Sequence, residues 1–88
     1  MDELREKIAR RVGENLRRAR EGAGQTQKGL ARMGFVTQSL QSAYETGAKL
    51  PQLDTLVYQA RLFGVTLFEL LEGVEEMAPK EQDKPTGV

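Results

Sequence analysis

Glycines at positions 22 and 24, 34, 47 and 64 divide the chain into short amphipathic stretches, and this punctuation limits what it can fold into. Before the first of them, Leu4, Ile8, Val12 and Leu16 recur every four residues and Ala19 and Ala23 continue the stripe, which predicts a long first helix. Asp2 is placed to cap that helix, with Glu3 favourable in its first turn. Gly13 lies inside it at a cost of about 1 kcal/mol relative to Ala, which points to close approach by another helix. A second helix is expected from near Thr26, carrying Leu30, Ala31 and Met33 and ending at Gly34. Thr37 is a good cap for a third, running through Leu40 and Tyr44 to Gly47. After Pro51 a fourth is expected from about Gln52, with Leu53, Leu56, Val57, Ala60 and Phe63 as its apolar face. Thr66 caps a fifth carrying Leu67, Leu70, Leu71 and Val74. No strand-like alternation competes, so the fold class is all-α. One domain is expected over residues 1–77, with 78–88 as a flexible polar tail.

Eighty-eight residues suffice for one modest core, with little left for a catalytic lobe. The chain has no Cys, which removes disulfides and thiolate metal sites. It has no His, which removes the usual general base and the commonest metal ligand. An enzyme is therefore not expected, nor a cofactor, metal or small-molecule ligand. The N-terminus is charged at once and no apolar run approaches about 18 residues, so neither a signal peptide nor a membrane span is expected. Cytoplasmic residence follows. The formal net charge is +0, but residues 1–49 hold ten Lys/Arg against six Asp/Glu, and residues 50–88 hold three against seven. Such asymmetry predicts one basic face and one acidic end.

Two short helices joined by a tight turn inside a five-helix domain are the framework of a helix-turn-helix. Residue spacing narrows this further. Gln27-Lys28-Gly29-Leu30-Ala31, Val36-Thr37, Tyr44-Glu45-Thr46-Gly47 and Pro51-Gln52-Leu53-Asp54-Thr55-Leu56 closely resemble the phage Cro/repressor (Xre) helix-turn-helix family. Val12-Gly13-Glu14-Asn15-Leu16-Arg17-Arg18-Ala19-Arg20 resembles that family's first helix. Ala60, Gly64-Val65-Thr66-Leu67 and Leu70-Leu71 resemble its last two. The resemblance runs without a gap from about residue 12 to 72. It implies a lambda-repressor-like DNA-binding fold with helices 2 and 3 as the helix-turn-helix, and a dimeric transcription regulator, most simply a repressor, on double-stranded DNA.

The resemblance also assigns roles. Gln27, opening helix 2, should contact a DNA phosphate and brace the recognition helix, with Lys28 adding charge. Arg20 and Glu45 match a family pair that forms a structural salt bridge. In helix 3, Gln38 and Gln41 are the expected base readers, with Ser39 and Ser42 beside them; Gln can pair bidentately with adenine N6 and N7. Thr37 is assigned as cap and phosphate contact, Lys49 as a phosphate contact in the following loop, and Arg17 as a peripheral one. The chain departs from the family in the turn, where Gly34-Phe35 and Gln41 replace an apolar-Gly pair and an aliphatic residue. A one-residue earlier turn would bury Leu40 and leave Gln41 facing out. This phase is preferred because burying a Leu is favourable by roughly 1.5–3 kcal/mol. Helix 3 carries no Lys or Arg, so a single domain should bind weakly. That favours a homodimer on a pseudo-palindrome with half-sites about 34 Å apart. Val65, Phe68, Leu71, Val74 and Met77 are the expected dimer surface. The same lack of basic residues keeps a second reading open: an interaction module for a protein partner that has lost DNA binding.

Overall fold

The computed structural model describes residues 2–77, and among these it is all-helical. The order is α1 (Asp2–Gly22), α2 (Gln27–Arg32), α3 (Gln38–Thr46), α4 (Leu53–Phe63), α5 (Leu67–Leu70) and a closing 3-10 turn (Glu75–Met77). Residues 78–88, expected as a flexible tail, lie outside the described residues.

Three threonines start three of the helices. The Thr26, Thr37 and Thr66 hydroxyls accept from the backbone N–H groups of Gly29 (2.9 Å), Leu40 (3.0 Å) and Glu69 (3.1 Å). Each extended cap satisfies an amide that the first helical turn leaves unpaired. At Thr66 the Glu69 carboxylate accepts in return from the Thr66 N–H, completing a capping box. Gln52 opens α4 without a side-chain cap. At the far end of α3, Gly47 takes φ +82°, and a Cβ there would sit 2.8 Å from the Arg10 Cα. Both the handedness and the space demand glycine.

Helices of four to eleven residues do not persist alone in water, so packing must hold them. Val12 and Leu16 of α1, Leu30 of α2, Tyr44 of α3, Leu56, Ala60 and Phe63 of α4 and Leu70 of α5 form one buried cluster. α1 is its spine and passes directly against the α3 backbone at Gly13. A Cβ on Gly13 would strike the Tyr44 carbonyl oxygen and lie 2.7 Å from that of Glu45, so the expected helix approach is present.

Two apolar faces differ from expectation. On α4, Leu56, Ala60 and Phe63 are buried, but Leu53 (63% exposed) and Val57 (38%) are not. The latter pair sit on the flank of the stripe, and the remaining buried position goes to Gln59. The fifth helix is also shorter than expected. It stops at Leu70, and Leu71 and Val74 lie in the following turns, half-buried against the core. Asn15 of α1 fixes this point: its buried Nδ2 donates to the carbonyls of Leu70 and Glu72, both at 2.9 Å. Those carbonyls therefore bond to a side chain of α1.

Candidate nucleic-acid interface

α3 presents two chemically distinct faces. Leu40 is half-buried against the core, Tyr44 and Glu45 are buried, and Gln41 is completely so. The opposite face carries Gln38, Ser39 and Thr46, all exposed, and Ser42, half-exposed. Positions 38, 39, 42 and 46 fall within one stripe at helical spacing. None is acidic, and each side chain offers hydrogen-bond donors and acceptors. Thr46 was not singled out from the sequence, although its position four residues beyond Ser42 places it on the same face. Its hydroxyl donates to the Ala43 carbonyl at 3.3 Å.

Gln41 is the main correction. Expected to face outward beside Gln38, it is 0% exposed and points into the domain. Its burial is possible because it has partners. The Gln41 Nε2 donates to Glu45 Oε2 (2.9 Å) and to Gln59 Oε1 (3.0 Å). The Gln59 Nε2 donates back to Gln41 Oε1 at 2.8 Å. Gln59, 2% exposed on α4, was not foreseen. Inward placement of Leu40 did not require Gln41 to face out; both turn toward the domain.

The polar network continues through Glu45. Arg20 approaches it in a bidentate fork, Nε to Oε2 at 2.7 Å and Nη2 to Oε1 at 3.0 Å, and both side chains are buried. Arg20 Nη1 donates to the Gln25 carbonyl at 2.7 Å, tying the α1–α2 loop to the same cation. Gln27 Nε2 donates to Glu45 Oε1 at 3.0 Å. Burial alone would raise the Glu45 carboxyl above its usual range. Hydrogen bonds from Arg20, Gln41 and Gln27 outweigh it and hold the group below that range. The same pairing raises the Arg20 guanidinium. One carboxylate thus gathers groups from α1, α2 and α3, and through Gln41 reaches α4.

Gln27 is half-buried, so the bracing half of its expected role has a concrete form, a bond to Glu45. A primary amide has two N–H donors, and this bond occupies one. Lys28, Thr37 and Lys49 are exposed around the two short helices. Arg17 is exposed too, but its Nε donates to Glu21 at 3.3 Å within the same helix. Of the expected dimer surface, Phe68 is 82% exposed, whereas Val65, Leu71 and Val74 are half-buried against the core and Met77 is half-buried in the closing turn. Exposed Phe35 packs instead on Tyr58 of α4, ring centroids 4.7 Å apart, bracing the turn between α2 and α3.

No helix among the described residues is long and apolar enough to cross a membrane. No curated protein and no solved structure matches the chain. A family model described as a helix-turn-helix domain matches residues 11–72, an interval that spans the later part of α1 through α5 and contains the whole Arg20–Glu45–Gln41–Gln59 network. The chain therefore belongs to the helix-turn-helix domain family, a DNA-binding kind of fold.

Proposed function

We propose that this protein is a sequence-specific transcription regulator of the Cro/repressor type, acting as a repressor on double-stranded DNA. The observation that carries the reading is the outward stripe of α3, Gln38, Ser39, Ser42 and Thr46, held by a helix whose other side is locked into the domain. Side chains of this kind can pair with base edges in the major groove. Gln27, through its second amide proton, and Lys28, Thr37 and Lys49 supply phosphate contacts, with Arg17 at the periphery once it leaves Glu21. α3 itself has no cation, so affinity comes from pairing two domains on a pseudo-palindrome with half-sites about 34 Å apart. Phe68 is the centre of that pairing surface, flanked by Val65, Leu71, Val74 and Met77.

Selection of bound duplexes from random DNA tests the reading. The expected result is a two-fold-related motif bound with an affinity that falls steeply with salt. Failure to enrich any sequence, with no duplex binding even at low salt, would favour the competing reading, a protein-interaction module, which the absence of Lys and Arg from α3 and the altered turn before it motivate.

A further inference from the structure

We propose that Gln59, on a helix outside the helix-turn-helix, is a positioning residue for base reading: with Gln41 it fixes the roll of α3 about its own axis. This rests on the DNA-reading function proposed above.

The Glu45 carboxylate, held ionised by Arg20, only accepts hydrogen bonds, so the group that Gln41 offers it at 2.9 Å must be the Nε2 amide. That choice turns Gln41 Oε1 away from Glu45. Gln59 must then present Nε2 to that oxygen, at 2.8 Å, and Oε1 to the remaining Gln41 proton, at 3.0 Å. The two amides therefore exchange a pair of hydrogen bonds while Gln41 also donates to Glu45, and reversing either amide would set like against like.

Both side chains are essentially inaccessible, 0% and 2% exposed, so water cannot replace a lost partner. A rotation of α3 by one residue position would carry Gln41 out of reach of Gln59 and orphan two buried amides together. A pair of aliphatic side chains in the same space would hold α3 against α4 by area alone, without that directional penalty. The reading stripe is on the opposite side of the same short helix, so the roll angle that the amides set is the angle at which Gln38, Ser39, Ser42 and Thr46 meet a groove.

Near-isosteric methionine provides the test, in Gln59→Met and in Gln41→Met/Gln59→Met. Three quantities are read at a temperature where each variant is folded: the thermal midpoint, the ratio of affinities for the selected site and a random duplex, and the backbone amide chemical shifts of residues 37–47 without DNA. The single variant, with Gln41 Oε1 left buried and unpaired, should melt earlier and lose selectivity. In the double variant the midpoint should recover part of that loss, Glu45 giving up its bond from Gln41 but keeping those from Arg20 and Gln27. Its selectivity should still fall about fivefold or more, the loss of about one good base contact, and the shifts of α3 should move. Full selectivity and unmoved shifts in the double variant would make the pair structural only and overturn the assignment. Unfolding of the double variant would overturn it too, by making the amides a requirement of the fold. A wild type with no sequence preference would instead remove the DNA-reading function, and the shifts would still report on the roll of α3.

Discussion

A methyl group on Gly13 has nowhere to go: it would meet the backbone carbonyl oxygens of Tyr44 and Glu45, neither of which can swing aside as a side-chain tip would. Gly13→Ala should therefore destabilise the domain by about 1–3 kcal/mol, the usual range for an overpacked core. That outcome reverses the gain in helix propensity, and urea unfolding measures it. Glu45 gives a second residue-scale prediction. Truncating its partner in Arg20→Ala leaves a buried carboxylate without its cation, a change that costs about 3–5 kcal/mol. The pH dependence follows from the depressed folded-state value of Glu45. The stabilisation is fully present above the unfolded carboxyl value of about 4.3 and is lost as pH falls from there through the folded value. Denaturant midpoints followed downward from pH 6 should show this acid limb in the wild type, and it should flatten in Glu45→Gln.

Among the elements, helix ends were readable because their signals are local. A Thr three residues ahead of the amide it caps, or a Gly where the chain turns left-handed, acts without knowledge of the rest of the molecule. Thr37→Ala should accordingly cost about 1 kcal/mol, read by the thermal midpoint, because nothing else caps Leu40 N–H. Two of the departures from expectation, in α5 and α3, depend on distant partners. α5 is short because Asn15, far back in α1, takes the Leu70 and Glu72 carbonyls, a bond separated by 55 and 57 positions in sequence. The inward side of α3 was hidden for the same reason. An amide next to a seryl face reads as solvent-exposed until its reciprocal partner appears 18 positions later, on another helix. Of the candidate site, Gln38, Ser39 and Ser42 are placed on a shared open face and Arg20 with Glu45 in one buried fork, whereas Gln59 left no local mark.

The molecule as a whole carries its positive excess in the half that contains α1 to α3 and its negative excess in the half that contains α4, α5 and the residues after them. Under the proposed function this polarity orients the domain on a polyanion even though the total is +0. Assembly belongs to this scale too. If the proposed pairing through Phe68 holds, Phe68→Ser should shift sedimentation equilibrium from dimer toward monomer and weaken binding to a two-half-site operator. Affinity for an isolated half-site should stay the same, since Phe68 is a surface side chain of α5, away from the outward stripe of α3.

The division of labour along α3 has a consequence for how such a protein can change. Leu40, Gln41, Tyr44 and Glu45 carry the packing, while Gln38, Ser39 and Thr46 are exposed and Ser42 is half-exposed. Under the proposed function, the address and the lock are written in separate letters of the same nine-residue word. Substitutions at the outward four positions can drift, or be randomised in the laboratory, with little effect on whether the protein folds. A new target sequence is then within a few exchanges that stability would not resist, and copies of one scaffold can diverge in what they recognise while remaining interchangeable in how they are built.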